Sequence, residues 1–153
     1  MHWYFGENAA LDFNSGEPIN VLGSELNVYE GSACISDDNG DLLFYTDGLN
    51  IWDATNTVMP NGSGLLGGAM TSAWNQALIV PRPHHPSQYY VFTCDEFDNN
   101  TANGVNYSIV DMTLNGGLGD ITAVKNVYLG PANVETLAAV YHKNGQDAWL
   151  VVR

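Results

Sequence analysis

Apolar and polar residues alternate with period two along short runs of this chain, and no stretch carries the 3.6-residue period of an amphipathic helix. The clearest run is SDDNGDLLFYTDGLNIWD, residues 36–53. Asp37-Asp38-Asn39-Gly40 reads as a turn, with Asn-Gly supplying the two positive-φ positions of a tight hairpin. Leu42–Thr46 is a short apolar and aromatic run of strand type. Asp47-Gly48 turns the chain again, and residues 49–53 alternate apolar and polar.

The rest of the chain reads the same way. Strand-like runs are predicted at residues 3–5, 10–14, 77–81, 89–93, 105–112, 122–129, 135–141 and 146–152, with a short strand at 26–28 in an otherwise polar connection over 17–31. The glycine-rich segment 59–68 is predicted to be loop; it lacks the Gly-Lys-Ser/Thr ending of a phosphate-binding loop. Residues 95–100 form an acidic turn, 114–120 a glycine-rich hairpin turn, and Lys143-Asn144-Gly145 the turn of a last hairpin. About ten strands and no helix make the fold class all-β.

A weak repeat refines that class. DLLFYTDG at residues 41–48 is followed 47 residues later by QYYVFTCD (88–95), and that a further 58 residues later by QDAWLVVR (146–153), each just after a turn signal. Self-similarity at about 40–50 residues with several strands per unit is the mark of propeller blades. Ser36-x-Asp38-x-Gly40 resembles the front of the Asp-box turn found in propeller blades, although its aromatic is one place late, at Phe44. The expected role of such an Asp is structural, since its side chain caps backbone donors in the turn. The reading is a single β-propeller-like domain over 1–153, about two and a half to three four-stranded blades.

Composition narrows the partners. With 17 Asp and Glu against 4 Lys and Arg, the formal net charge is −13. Such a surface repels nucleic acid and anionic membrane and suits Ca²⁺ or neutral ligands such as glycans. No run approaches the roughly 18 apolar residues of a membrane helix, so membrane insertion is not expected. Cys34 and Cys94, the two cysteines, lie in or beside strand-like runs, and their spacing leaves pairing open. No signal peptide precedes Trp3-Tyr4-Phe5, and the last strand stops abruptly, so the chain reads as a piece of a longer protein.

Four phrases in order, WYFGENAALDFN (3–14), SDDNGDLLFYTDGLNIWD (36–53), VMPNGSGLLG (58–67) and YSIVDMTLNGGLGDITAVKN (107–126), resemble the N-terminal propeller-like region of large Bacteroidetes surface proteins. These are exported by the type IX secretion system and carry a type-B, gliding-motility-associated sorting domain. The resemblance spans nearly the whole chain. It implies export to the cell surface or medium and a propeller-like region, and it carries over no catalytic residues. Signal peptide and sorting domain are both missing from this stretch. Where the family has a small Ser/Thr-Gln stretch, this chain has TSAWNQ, which makes Trp74 particular to it.

Four candidate chemistries follow from residue types. Hard oxygen ligands for Ca²⁺ cluster at Asp37, Asp38, Asn39 and Asp41, and again at Asp95, Glu96, Asp98 and Asn99, though neither run has the EF-hand spacing. His84 and His85 point to opposite faces of an extended segment, and His142 joins them only through the fold. A hydrolase needs two facing carboxylates; Glu30, Asp47, Asp95, Asp111 and Glu135 lie at strand ends, with Asp47 and Glu135 the candidate pair. A glycan platform needs an exposed aromatic beside Asp or Asn, for which Trp52, Trp74 and Tyr107 are candidates. The expected function is a non-enzymatic surface recognition or adhesion module with carbohydrate as candidate ligand. The alternatives are a secreted carbohydrate-active hydrolase and a structural spacer. No cofactor is required, Ca²⁺ is the candidate ion, and open edge strands make a homo-oligomer the expected assembly.

Overall fold

The computed structural model describes residues 1–68, 74–132 and 135–152. Those residues form four antiparallel sheets in chain order, none closed on itself. The first comprises β1 (His2–Phe5), β2 (Ala9–Asp12) and β3 (Ile19–Asn20). The second is a meander of β4 (Ala33–Ser36), β5 (Leu42–Thr46), β6 (Asn50–Asp53) and β7 (Val58–Ser63). The third runs β8 (Ala77–Pro81), β9 (Gln88–Cys94), β10 (Val105–Asp111), with β11 (Asp120–Ile121) and β12 (Val127–Gly130) both paired to β10. The fourth is the hairpin of β13 (Leu137–Tyr141) and β14 (Ala148–Val152). The fold is all-β, with two short 3-10 turns at Phe97–Asn99 and Asn115–Gly117. Among the described residues no helix is long and apolar enough to cross a membrane.

Several expectations need correction. Residues 58–63, overlapping the loop predicted over 59–68, are a strand; β7 is the outer edge of its sheet, where Pro60 and Gly62 remove no ladder bond that a neighbour needs. The strand expected over 122–129 is an interrupted edge: β11 and β12 flank a bend in which Thr122 and Val124 still bond Ile109. Residues 26–28 make only an isolated bridge, Glu7 to Asn27. In the turn at residues 37–40 only Gly40 takes positive φ, at 90°. The hairpin therefore closes through one left-handed residue and a register shift beside Ser36, not through Asn39 and Gly40 together. The three look-alike runs contain β5, β9 and β14, each the second strand of its sheet in chain order, the last run ending at Arg153, outside the described residues.

The sheets stack face to face, because strand alternation sends neighbouring side chains to opposite layers. Tyr4, Ala10, Leu26, Val28, Tyr45 and Trp52 fill the layer between the first and second sheets. Phe44, Ile51 and Met59 meet Val91, Val110 and Ile121 between the second and third. Cys94, Val105 and Leu137 lie between the third and fourth, with Leu78 and Phe92 against them. Adjacent residues Phe44 and Tyr45 thus anchor different layers. The first strands β1, β4, β8 and β13 touch in succession, and β8 and β13 begin with a parallel bridge from Asn75 to Thr136. Cys34 and Cys94 lie in different layers.

The two outermost faces have no covering layer among the described residues. Tyr4 faces inward, so Trp3 and Phe5 face outward, and both are exposed. At the other end Leu137 faces inward, while Val140, Trp149 and Val151 stand exposed.

Tyr45 carries a test of the first layer. Its ring lies between Tyr4, 4.4 Å away, and Trp52, 5.3 Å away. Its hydroxyl donates to Asn56 Oδ1 and accepts from the Glu25 amide. Burial pushes its pKa up to about 12. The folded state therefore favours the neutral phenol, so this contribution is whole below pH ~10 and is lost as pH rises toward 12. Tyr45→Phe is expected to cost about 1–2 kcal/mol at neutral pH, since it strands two partners, and to weaken the alkaline unfolding transition. Urea unfolding at pH 7 and pH 11 checks both.

Candidate functional site

The polar groups that the fold buries gather where four segments meet: the turn after β5, the end of the segment after β7, the entry to β8, and the turn after β9. Gln76 enters this junction from just before β8 and is fully buried. Its Nε2 donates to the Asp47 backbone carbonyl, and the Gln76 backbone carbonyl accepts from Cys94 N. Gly67 and Gly48 meet backbone to backbone, the amide of Gly67 donating to the Gly48 carbonyl. Gly68 packs against Glu96, whose side chain is buried. Glu135 closes the far side: its Oε1 accepts from Phe97 N, and its carbonyl accepts from Asn75 N.

Most acids at strand ends act as turn caps. Asp47 Oδ1 accepts from Leu49 N and Asn50 N at 2.8 and 2.6 Å. Asp95, in the equivalent place after β9, accepts from Glu96 N, Asn99 Nδ2 and Asn103 N. Asp53, Asp111 and Asp120 bond nearby amides in the same way. In the β4–β5 turn Asp37 accepts from Asn39 N and Asp41 N, both at 2.9 Å, and those bonds hold its carboxyl below the usual range. The two candidate Ca²⁺ runs are thus organised around caps: Asp37 accepts from the Asp41 amide and Asp95 from Asn99 Nδ2, each facing its own turn. Among the described residues no three His, Cys, Asp or Glu side chains converge as metal ligands. His84 sits in its turn at φ 63°, and His142 packs near Trp149.

Both acids of the candidate pair, Asp47 and Glu135, border this junction through Asn75 and Gln76. Each accepts backbone amides, a positioning role for loops more than a proton-transfer role. Their charges still matter locally. Burial, and then the charges of Asp95 and Glu135, push the Cys94 thiol up to about 11.

The aromatic candidates part company. Trp52 is 8% exposed and stacked on Tyr45, so as a sugar platform it is corrected to a core residue. Tyr107 is half-buried in a cluster with Tyr90 and Phe92 on the third sheet. Trp74 is 78% exposed, beside Asn75 on the rim of the junction, with Phe97 also exposed. Residues 71–73 of the TSAWNQ segment lie outside the described residues. A separate groove of about 590 Å³ runs along the first strands, lined by His2, Trp3, Cys34, Ser36, Asp37 and Ile79.

Sequence reasoning missed Gln76 and the burial of Glu96. A buried glutamine belongs to no motif, and an acidic turn looks solvated; the signal present was the pair of glycines 67 and 68 that permits the close approach. The chain matches no protein-family model, no curated protein and no solved structure.

Proposed function

We propose that the chain is a propeller-like recognition module that works by binding, at the cell surface or outside the cell, with carbohydrate as its ligand class. The observation that carries this reading is Trp74: a tryptophan 78% exposed, next to an asparagine, on the rim of a buried polar junction. An indole face stacks on a sugar ring while neighbouring amides bond its hydroxyls. The engagement of Asp47 and Glu135 by backbone amides favours binding over hydrolysis.

The blade reading rests on the succession of first strands β1, β4, β8 and β13, the order that inner strands take about a propeller axis. On this reading the groove beside those strands is axial. The apolar end faces at Trp3 and Phe5 and at Val140, Trp149 and Val151 are then sites of blade-on-blade packing, and a second copy is the partner that meets them.

The test is a calorimetric screen of soluble glycans against the wild type and Trp74→Ala. Expected is saturable binding without product release, weakened about tenfold or more by the substitution, or about 1.4 kcal/mol per tenfold. Binding unchanged in Trp74→Ala would remove the platform. Product release that is lost in Asp47→Asn or Glu135→Gln would replace the reading with a hydrolase, and neither binding nor turnover would leave a spacer.

A further inference from the structure

β14 pairs with β13 on one side, and among the described residues no strand pairs with its other side. Its sequence, AWLVV, holds no charge, proline or glycine, the residues that commonly blunt such an edge. Trp149, Val151 and Val152 are all exposed on it. The outer edge of the second sheet is built otherwise. Pro60 takes one donor out of β7, and the Asp120 carboxylate accepts from the backbone and side-chain nitrogens of Asn61. Lys125 donates to the carbonyls of Asn61 and Ser63 on the same edge. Side chains meet β1 in a similar way: its His2 amide donates to Ser36 Oγ, and its Tyr4 carbonyl accepts from Ser32 Oγ.

The strand is complementary to itself. Antiparallel pairing of two copies about a two-fold axis through Leu150 sets Trp149 opposite the partner's Val151, and Ala148 opposite the partner's Val152. The β13 register already places Val140 beside Trp149. Trp149 would then stand between Val140 and the partner's Val151, aromatic against β-branched on both sides, a favourable kind of cross-strand pair. Pairing also turns a two-stranded sheet into one of four, the number in the second sheet. A lone hairpin is marginal in water, and three or more strands hold better. Charge selects the same place. With a formal net charge of −13, most of the surface repels its own copy. Of the 17 acidic side chains only Asp147 lies within residues 137–152, and Lys143 offsets it. This hairpin is where two copies approach at least electrostatic cost.

We propose that β14 is a self-pairing edge: a second copy adds its own β14 antiparallel about Leu150, joining two β13–β14 hairpins into one four-stranded sheet. The inference rests on the second-copy reading of the end faces and says which groups make the joint. They are the backbone amides and carbonyls of β14, with the apolar face as its flank.

The experiment oxidises Leu150→Cys and Val140→Cys mildly, at a concentration where light scattering gives at least twice the chain mass. Covalent dimer is read on a non-reducing gel beside the wild type, which carries Cys34 and Cys94 as the variants do. Edge pairing sets residue 150 against its own copy at a Cα separation of about 4.5–5.5 Å, within disulfide reach. It leaves the two residues 140 three strand spacings apart, about 14 Å or more. Expected is a shift of most of the Leu150→Cys chain to twice the mass, with no more dimer from Val140→Cys than from the wild type. A mass of one chain at every concentration overturns the proposal together with the second-copy reading. A dimeric mass without the Leu150→Cys link overturns the edge alone and leaves face packing, as does a link formed best by Val140→Cys. If Leu150→Cys does not fold, amide hydrogen exchange of the wild type decides. The β14 amides that point away from β13 should slow as concentration rises from monomer to dimer, and unchanged exchange there overturns the edge.

Discussion

Replacing Phe44 by alanine is expected to cost about 3–5 kcal/mol, the range for a buried phenylalanine that leaves a cavity. The ring has no exposed surface and stands edge-on to Tyr89 of the third sheet, 5.5 Å between centroids. It therefore bridges two sheets and does more than line one. Against a total of about 5–15 kcal/mol for a domain, the loss is a large share, and at about 2–4 °C per kcal/mol Tm should fall by roughly 10 °C. Leu22→Ala, 82% exposed and away from both end faces, should by contrast stay within about 0.5 kcal/mol. Thermal and urea unfolding of the two variants measure the contrast. A loss below about 1 kcal/mol in Phe44→Ala would mean that the central layer is loosely packed.

The second large effect concerns mass. If the apolar end faces pack on a second copy, size exclusion with light scattering should give at least twice the mass of one chain. Trp149→Lys places a charge in the middle of the face formed with Val140 and Val151, and should return the protein to a single chain. A wild type that is monomeric at every concentration tried would sink the self-association reading. The exposed tryptophans would then be surface, and closure about an axis would lose its support.

Much of this architecture could be read from residues 36–53, because a turn of Asp, Asn and Gly between runs of aromatic and β-branched residues admits few other structures. The capping carboxylate of that turn is Asp37, one place before the Asp38 of the Asp-box reading. The copies at β5, β9 and β14 share one position in their sheets, so the repeat carried topology even at low similarity. β7 was hidden because Pro60, Asn61 and Gly62 carry loop signals that an edge strand tolerates. Trp52 looked like Trp74 in sequence; what separates them is that β6 is an inner strand flanked by β5 and β7, whereas Trp74 precedes β8 on a rim. The junction was least legible of all. Its members come from residues 47, 68, 76, 96 and 135, and only the stacking of sheets brings them together.

Among the described residues each sheet packs mainly on the one before it and the one after it. When each unit touches only the one before it and the one after it, stability is approximately a sum of unit terms and nearest-neighbour interface terms. Duplication or loss of one whole sheet, 47 to 58 residues by the spacing of the repeat, changes the number of interfaces by one and leaves the remaining layers as they were. Insertions of that size are then the changes in length that this architecture absorbs most readily. An insertion of half that length would separate the first strand of a sheet from its partners and leave two layers unfilled.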